Sequence, residues 1–352
     1  MAETIYKLIS NLNDEEWDYR HNVHKKKKIN FKKPFLNNHA ANFFIDEYFG
    51  HAGKERMPLE KLGIEMGNFP KSEHTASIFF LGALVYHKCF PDDTYLKGKT
   101  YSGYELFPFL WFLTCLFHDF ANDFEYKQKD LKELDTIEKL NGYLDIEDEN
   151  QLLKKSVKHT NSTLFKAIPL YYQYRFDPMK KLDHGIVGGL FLYDRLVKNR
   201  KNKEDEKIAK DEVNDFWDSS LETDYAEAAA TIATHNIYFK DPEARAYFKE
   251  KGDNTLEGLA KISFKESPLL FLLGLVDTLD PLKIYRCISK PNLILKNICL
   301  TFPENGKVLM QVREGSPLNP QCLKDKIKDL EWLDIDVKEI ERGIELIFNI
   351  KR

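Results

Sequence analysis

The chain has 352 residues, of which 43% are hydrophobic and 31% are charged. This composition is typical of a globular protein with a substantial core, built as one large domain or as a main domain with an appendage. The net charge of −4 argues against a general affinity for nucleic acids or acidic membranes. The one basic block, residues 24–33 (HKKKKINFKK), indicates either a solvated face or a patch that binds polyanions.

The cysteine pattern and the first residues indicate the cellular compartment. Five cysteines are scattered along the chain without a C-x-x-C pair, so neither a disulfide-linked partner nor a thiolate zinc site is expected. The first 20 residues are acidic and lack the apolar region of a signal peptide. The most apolar segment of the chain, which contains Pro108 and ends at Phe117, is too short to cross a bilayer. We therefore expect a cytoplasmic protein without a membrane partner.

Residues 1–70 are a polar N-terminal extension to which we assign no secondary structure. The predicted helices begin after it. Residues 72–87 have apolar positions spaced for a buried helix, with Ser72 as a candidate N-cap. Residues 104–126 (YELFPFLWFLTCLFHDFANDFEY) are apolar on nearly every side as far as Phe117, which predicts the central helix of an all-α bundle. Residues 127–180 begin with a charged, amphipathic stretch that predicts a surface insertion with one or two helices.

Three further helices complete a predicted helical domain over residues 71–290. The first begins near Asp183 and contains Gly185, Gly188 and Gly189, which would each cost up to about 1 kcal/mol relative to alanine in an exposed helix. These glycines indicate that another backbone packs closely against this helix. The second helix is alanine-rich, and Pro281 ends or kinks the third.

The sequence pattern changes from helical to extended at about residue 290. Residues 291–352 predict the order strand, strand, helix, strand, with extended runs rich in Ile, Leu and Val and a turn at PENG. We interpret this small α+β appendage as an element for dimerisation or for capping a substrate. Under the first interpretation the protein would be a homo-oligomer. The predicted fold class is mainly α, a helical bundle with a small C-terminal α+β appendage.

Each long apolar helix carries an ionisable residue that does not belong in a core. These residues are His74, His118, Asp119, His184, His235 and Asp277. A lone histidine on an apolar helix is usually a core residue that is satisfied by a hydrogen bond. Six ionisable residues from five helices favour another interpretation, because imidazoles and carboxylates share a buried site when divalent metal ions neutralise the carboxylates. The set therefore predicts a metal centre.

The order His, His-Asp, His, His, Asp resembles the HD superfamily of metal-dependent phosphohydrolases. The motifs are EHTAS, LFHDFAND, DHGIVGG, ATHN and LVDTLD, and the resemblance covers roughly residues 70–290. The chain lacks the lysine of an HDxGK-type motif and the GYP signature of the cyclic-dinucleotide phosphodiesterase branch. The resemblance implies an HD-type helical bundle with two divalent metal ions per chain.

The same resemblance implies a division of the ligands. His74, His118 and Asp277 would bind the first ion, His184 and His235 the second, and Asp119 would bridge them. Nitrogen and carboxylate ligands without a thiolate are typical of Mn, Fe, Co or Ni, with Mg for a one-metal variant. Two such ions suit the hydrolysis of phosphoesters.

Four other residues are candidates for catalysis or substrate binding. Asp123 lies four residues after Asp119, where a helix would place both on one face, and it would orient water or donate a proton unless it is a surface or capping carboxylate. Arg195 would reach only the far end of a substrate, because a helix would place it roughly 16 Å from His184. Lys283 and Arg286 would contact phosphate unless they belong to a solvated face.

The predicted function is hydrolysis of a phosphoester or phosphoanhydride of a nucleotide or related small molecule. Two alternatives stay open at this point. One is a ligand-sensing or regulatory module with little catalysis, and the other is a di-iron oxygenase, since the ligand set also resembles that of inositol oxygenase. The metal that restores activity separates hydrolysis, which needs a Lewis acid, from oxygenation, which needs redox-active iron.

Overall fold

The computed structural model describes residues 2–35, 44, 47–48, 72–100, 103–122, 133–205, 219–288 and 290–349. A helical body is joined to a five-stranded antiparallel sheet. This confirms the prediction of a mainly helical chain with a small α+β appendage. None of the helices in these ranges has the length and apolar character that a membrane crossing requires.

The helices of the described ranges are numbered in chain order. They are α1 (Ile5–Asn11), α2 (His21–Lys26), α3 (Ser72–Cys89), α4 (Leu106–Phe117), α5 (Ile137–Tyr143), α6 (Ser162–Phe176), α7 (His184–Asp205), α8 (Leu221–Thr234), α9 (Pro242–Glu250), α10 (Pro268–Leu279), α11 (Pro281–Ile284), α12 (Pro291–Leu295) and α13 (Gln321–Lys324). Short 3-10 helices cover Asp14–Glu16, Asp148–Asn150, Leu152–Lys154 and Lys328–Leu330. The strands are β1 (Glu3–Thr4), β2 (Ile298–Thr301), β3 (Lys307–Val312), β4 (Ile335–Ile340) and β5 (Gly343–Phe348).

Helix α4 lies at the centre of the body, as its all-round apolar sequence predicts. Every residue from Phe107 to Phe117 is buried, and the helix packs against α3, α8 and α10. The indole Nε1 of Trp111 donates a hydrogen bond to the carbonyl of Phe79 at 2.8 Å, so even its polar atom is satisfied inside the core. The helix ends at Phe117, and residues 118–121 form turns.

Helices α7 and α8 approach each other closely. A Cβ atom added to Gly189 would lie 2.4 Å from the backbone oxygen of Ala229, and one added to Gly185 would lie 2.8 Å from that of Ile232. The prediction that another backbone packs against these two glycines is confirmed. Gly188 faces the ring of Phe120 instead.

Buried carboxylates fasten the described part of the predicted insertion to α7 and α8. Asp194 of α7 accepts hydrogen bonds from the backbone of Glu147 and the side chain of Asn150. Glu227 of α8 accepts hydrogen bonds from the backbone amides of Lys158 and His159. These contacts hold residues 147–159 against the helices that carry His184 and His235.

The sheet has the strand order β1-β2-β3-β5-β4 and is antiparallel throughout. Strand β1 pairs Glu3 with Leu300, so the start of the chain joins the C-terminal sheet. Of the predicted strands, those at residues 307–312 and 343–348 are present as expected, whereas residues 291–295 form a helix before β2. Strand β4 was not predicted.

Candidate metal centre

The six predicted ligands converge from five places in the helical body. His74 lies in the first turn of α3, and Asp277 lies near the end of α10. His118 and Asp119 follow α4 directly, His184 is the first residue of α7, and His235 caps the C-terminus of α8. They form two groups, His74 with His118 and Asp277, and Asp119 with His184 and His235, whose ligand atoms lie within 4.8 Å of one another in each group.

Distances within each group are short. In the first group, Oδ1 of Asp277 lies 3.1 Å from Nε2 of His74 and 4.0 Å from Nε2 of His118. In the second group, Nε2 of His184 lies 3.3 Å from Oδ1 of Asp119, and the rings of His184 and His235 are 5.3 Å apart between centroids. The structure thus brings all six predicted residues together.

Asp119 lies between the two groups. Its Oδ2 atom lies 3.6 Å from Nε2 of His118 and 3.8 Å from Nε2 of His74, whereas its Oδ1 atom faces His184. One carboxylate therefore directs a different oxygen to each group.

Three of the histidines, His74, His118 and His235, use Nδ1 for a hydrogen bond. The Nδ1 atoms of His118 and His235 donate to the carbonyls of Cys115 and Ile232 at 2.8 and 2.6 Å. Nδ1 of His74 lies 2.7 Å from Oδ2 of Asp280. In a neutral imidazole, a proton held on Nδ1 leaves the Nε2 lone pair for a metal ion, which is the usual outer-shell arrangement of metal-binding histidines.

The Nε2 atom of His118 is buried and has no hydrogen-bond partner among the described residues. A buried nitrogen that is left unsatisfied costs about 1–3 kcal/mol, so it calls for a partner. A divalent ion would supply that partner, and the imidazole and carboxylate donors fit such an ion.

The protonation of the histidines follows from burial and from the carboxylates beside them. Burial lowers the pKa of His74, but hydrogen bonds and charges of Asp277 and Asp280 outweigh burial and raise the pKa to about 10. Burial lowers the pKa of His235 to about 4 and also lowers the pKa of His118. His118 and His235 are therefore neutral near pH 7, which is the form that binds metal.

Lys283 lies at the edge of the centre. Its Nζ atom lies 2.8 and 2.9 Å from the two carboxylate oxygens of Asp277. Burial opposes the charge of Asp277, yet the hydrogen bond from His74 and the charge of Lys283 hold its pKa well below the usual range. Arg286, the neighbouring candidate, is an exposed residue.

Arg195 is not part of this arrangement. Arg195 donates to the carbonyl of Leu144 at 3.0 Å and lies over the ring of Phe191, contacts that tie it to the predicted insertion. Asp123 lies outside the described residues. Helix α4 ends at Phe117, and Asp119 lies in the turn that follows it.

Sequence reasoning missed two residues that contact the ligands. Asp280 is completely buried and holds His74 through its Oδ2 atom. In the sequence, Asp280 is recognisable as the second aspartate of LVDTLD, directly before Pro281. Asn236, which follows His235, places its side-chain nitrogen 2.8 Å from Nε2 of His184.

A cavity of about 490 Å³ adjoins the centre at Asp277. It lies between the helical body and the C-terminal appendage and is lined by Tyr238, Lys240, Asp241, Asp277, Thr278, Lys283, Lys326, Lys328, Asp329, Glu331 and Trp332. Of the six predicted ligands, Asp277 is the one that lines this cavity.

Comparisons of this chain with protein-family models, with curated proteins and with solved structures found no significant match.

Proposed function

We propose that this protein is a metal-dependent phosphohydrolase of the HD type, which acts on a nucleotide or a related small phosphorylated molecule. The observation that carries the proposal is the position of Asp119, whose two oxygens face two separate groups of ligands. Adjacent metal ions that share a carboxylate are typical of enzymes that hydrolyse phosphoesters. A cavity lined by lysines beside this centre suits a phosphorylated substrate.

The ligand assignment follows from the two groups. His74, His118 and Asp277 would hold one divalent ion, His184 and His235 the second, and Asp119 both. Mn, Fe, Co or Ni suits this donor set, with Mg for a one-metal form. When bound, such ions activate water as a nucleophile and stabilise the charge on the phosphoryl oxygens.

The chain's own residues orient the centre and its substrate. The hydrogen bonds from Nδ1 fix the rings of His74, His118 and His235, so their Nε2 atoms need no rearrangement. The ammonium group of Lys283 lies at the junction of the centre and the cavity, where it would pair with a phosphate oxygen of the substrate. Arg286 follows it on an exposed position and remains a second candidate for that contact.

The experiment begins with the full chain purified without chelator. Bound metals are measured by plasma mass spectrometry, and phosphate release is assayed on a panel of nucleotides with Mn, Mg, Co, Ni and Fe. Asp119→Asn removes the bridging charge, and Asp148→Asn is the control because that carboxylate is 85% exposed. We expect two metals per chain in the wild type and the control, and loss of both hydrolysis and metal in Asp119→Asn.

Other results would assign the centre differently. Bound iron without phosphate release would favour the oxygenase, and bound metal without turnover of any substrate would favour the regulatory module. A wild type that binds no metal, together with an Asp119→Asn variant that behaves like it, would overturn the metal centre itself.

A further inference from the structure

Strand β4 (Ile335–Ile340) forms one edge of the sheet. It pairs with β5 on one side, and no strand of the described ranges pairs with its other side. The strand is six residues long and contains neither proline nor glycine. An edge strand of this kind presents a row of backbone amides and carbonyls with which another strand can pair. Which strand fits there depends on the backbone groups that face outward and on the charges beside them.

Alternate residues of β4 direct their backbone groups away from β5. The amide of Phe348 donates to the carbonyl of Gly306, the residue directly before β3, at 2.7 Å. The backbone groups of Phe348 therefore face β3, and Ile335, its partner in β4, is not hydrogen-bonded to it. Because hydrogen-bonded and non-hydrogen-bonded pairs alternate along an antiparallel ladder, Val337 and Glu339 also point their amides and carbonyls outward. These outward groups have no backbone partner in the part of the chain that the structure describes.

Two opposite charges on β4 are unpaired. Asp336 and Lys338 are exposed and lie two positions apart on the same face of the sheet. Neither has an ion-pair partner among the residues that the structure describes. The carboxylate opposite Lys338 in the ladder belongs to Glu345, but Nζ of Lys307 lies 2.8 Å from that carboxylate and pairs with it. This face of β4 therefore suits a strand that carries the same two charges in the reverse order.

We propose that two copies of this protein associate through β4, with the two strands antiparallel about a two-fold axis at Val337. Asp336 of each copy would lie opposite Lys338 of the other copy, so the ion pair would form twice. The five strands of each copy would join into one continuous antiparallel sheet. Antiparallel pairing of identical strands has the two-fold symmetry of a homodimer, in which both copies contribute the same surface. The inference is independent of the proposed hydrolysis.

The backbone and the charges together select this register. A ladder that keeps most of β4 paired and places outward-facing residues opposite each other has its axis at Asp336, Val337 or Lys338. An axis at Asp336 opposes aspartate to aspartate, and an axis at Lys338 opposes lysine to lysine, which destabilises a ladder. The axis at Val337 instead opposes each charge to its opposite. It does so at non-hydrogen-bonded positions, where Cα atoms approach most closely, to about 4.5 Å.

The test measures the mass of the full chain by analytical ultracentrifugation over a range of micromolar concentrations. Asp336→Lys opposes lysine to lysine in the proposed register, and Lys338→Asp opposes aspartate to aspartate. The double variant exchanges the two charges and restores their complementarity. Asp92→Lys and Lys25→Asp are the controls, because they make the same changes of charge at exposed residues outside the sheet. Thermal unfolding establishes that each variant is folded.

We expect the wild type, the two controls and the double variant to sediment as dimers. Each single reversal should weaken the dimer about tenfold or more, because the contact between like charges occurs twice across the axis. An equimolar mixture of the two single variants should recover the dimer, since each supplies the charges that the other lacks. A monomeric wild type would overturn the inference, as would single variants that associate as tightly as the wild type. A folded double variant that stays monomeric would also overturn it, because the strands would then not pair in this register.

Discussion

The imidazole of His74 and the carboxylate of Asp280 lie 2.7 Å apart, between Nδ1 and Oδ2, although 206 positions separate them in the chain. The same carboxylate accepts hydrogen bonds from the hydroxyl of Ser77 and from the amides of Leu282 and Lys283. It therefore orients a predicted ligand and begins helix α11 at the same time. Outer-shell carboxylates of this kind raise the basicity of the histidines that they hold.

We expect Asp280→Asn to weaken metal binding about 10-fold to 100-fold, since asparagine keeps the size of the side chain but loses its charge. Affinity is measured by competition with a chromophoric chelator. The control is Asp93→Asn, which changes another buried carboxylate that accepts backbone amides, those of Tyr95 and Leu96. The control should lose stability and retain its metal affinity. Unchanged affinity in Asp280→Asn would show that this contact does not tune the centre.

The close contact between α7 and α8 predicts opposite effects for two glycine substitutions. Gly189→Ala should lower the free energy of unfolding by about 1–3 kcal/mol, because its Cβ would lie 2.4 Å from the backbone oxygen of Ala229. Gly142→Ala, in helix α5, meets nothing within 4 Å and should be neutral or stabilising by up to about 1 kcal/mol. Urea unfolding measures both values. Similar effects at the two positions would contradict the close approach of the helices.

The five free cysteines should react at very different rates in the native protein. Cys287 is exposed, whereas burial raises the pKa of Cys89 and Cys115 and thereby removes their reactive thiolate form. Cys299 and Cys322 are partly buried and should be intermediate. Labelling at pH 8 followed by peptide mapping gives the order, and labelling in urea provides the reference. Rapid native labelling of Cys115 would contradict its buried position near the end of α4.

His87 should contribute to a loss of stability in acid. Burial lowers its pKa below 6.5 in the folded chain, against the opposing hydrogen bond to the carbonyl of Glu16. The unfolded chain therefore takes up a proton near pH 6.5 that the folded chain resists, so stability is present above pH 6.5 and decreases as the pH falls toward the folded pKa. His87→Gln keeps a donor for the carbonyl and should lose less stability between pH 7 and 5.

The comparison is made on chains stripped of metal, by urea unfolding at each pH. Since His118 and His235 are present in both proteins, the difference in slope isolates His87, and it can reach about 1.4 kcal/mol per pH unit. Parallel curves for the two proteins would show that His87 takes up its proton equally in both states.

Local sequence patterns were sufficient to predict much of the helical body. The apolar run predicted the end of the buried segment at Phe117, and the glycines predicted the close approach beside Gly189. The ionisable residues His74, His118, Asp119, His184, His235 and Asp277 were recognisable because charges are rare on apolar helices. These signals depend on residue type and on spacing within one element, which a sequence displays directly.

Other features depend on contacts between distant parts of the chain. Strand β1 has two residues, too few for any periodicity, and it exists because it pairs with β2. In the sequence, nothing distinguishes Asp280 from any other aspartate before a proline. Only the fold brings its carboxylate into contact with His74. The division of the ligands into two groups and the lysine-lined cavity arise in the same way, since each needs side chains from elements far apart in sequence. Hydrophobic periodicity determines which face of an element is buried, but only tertiary packing determines which polar atoms meet there.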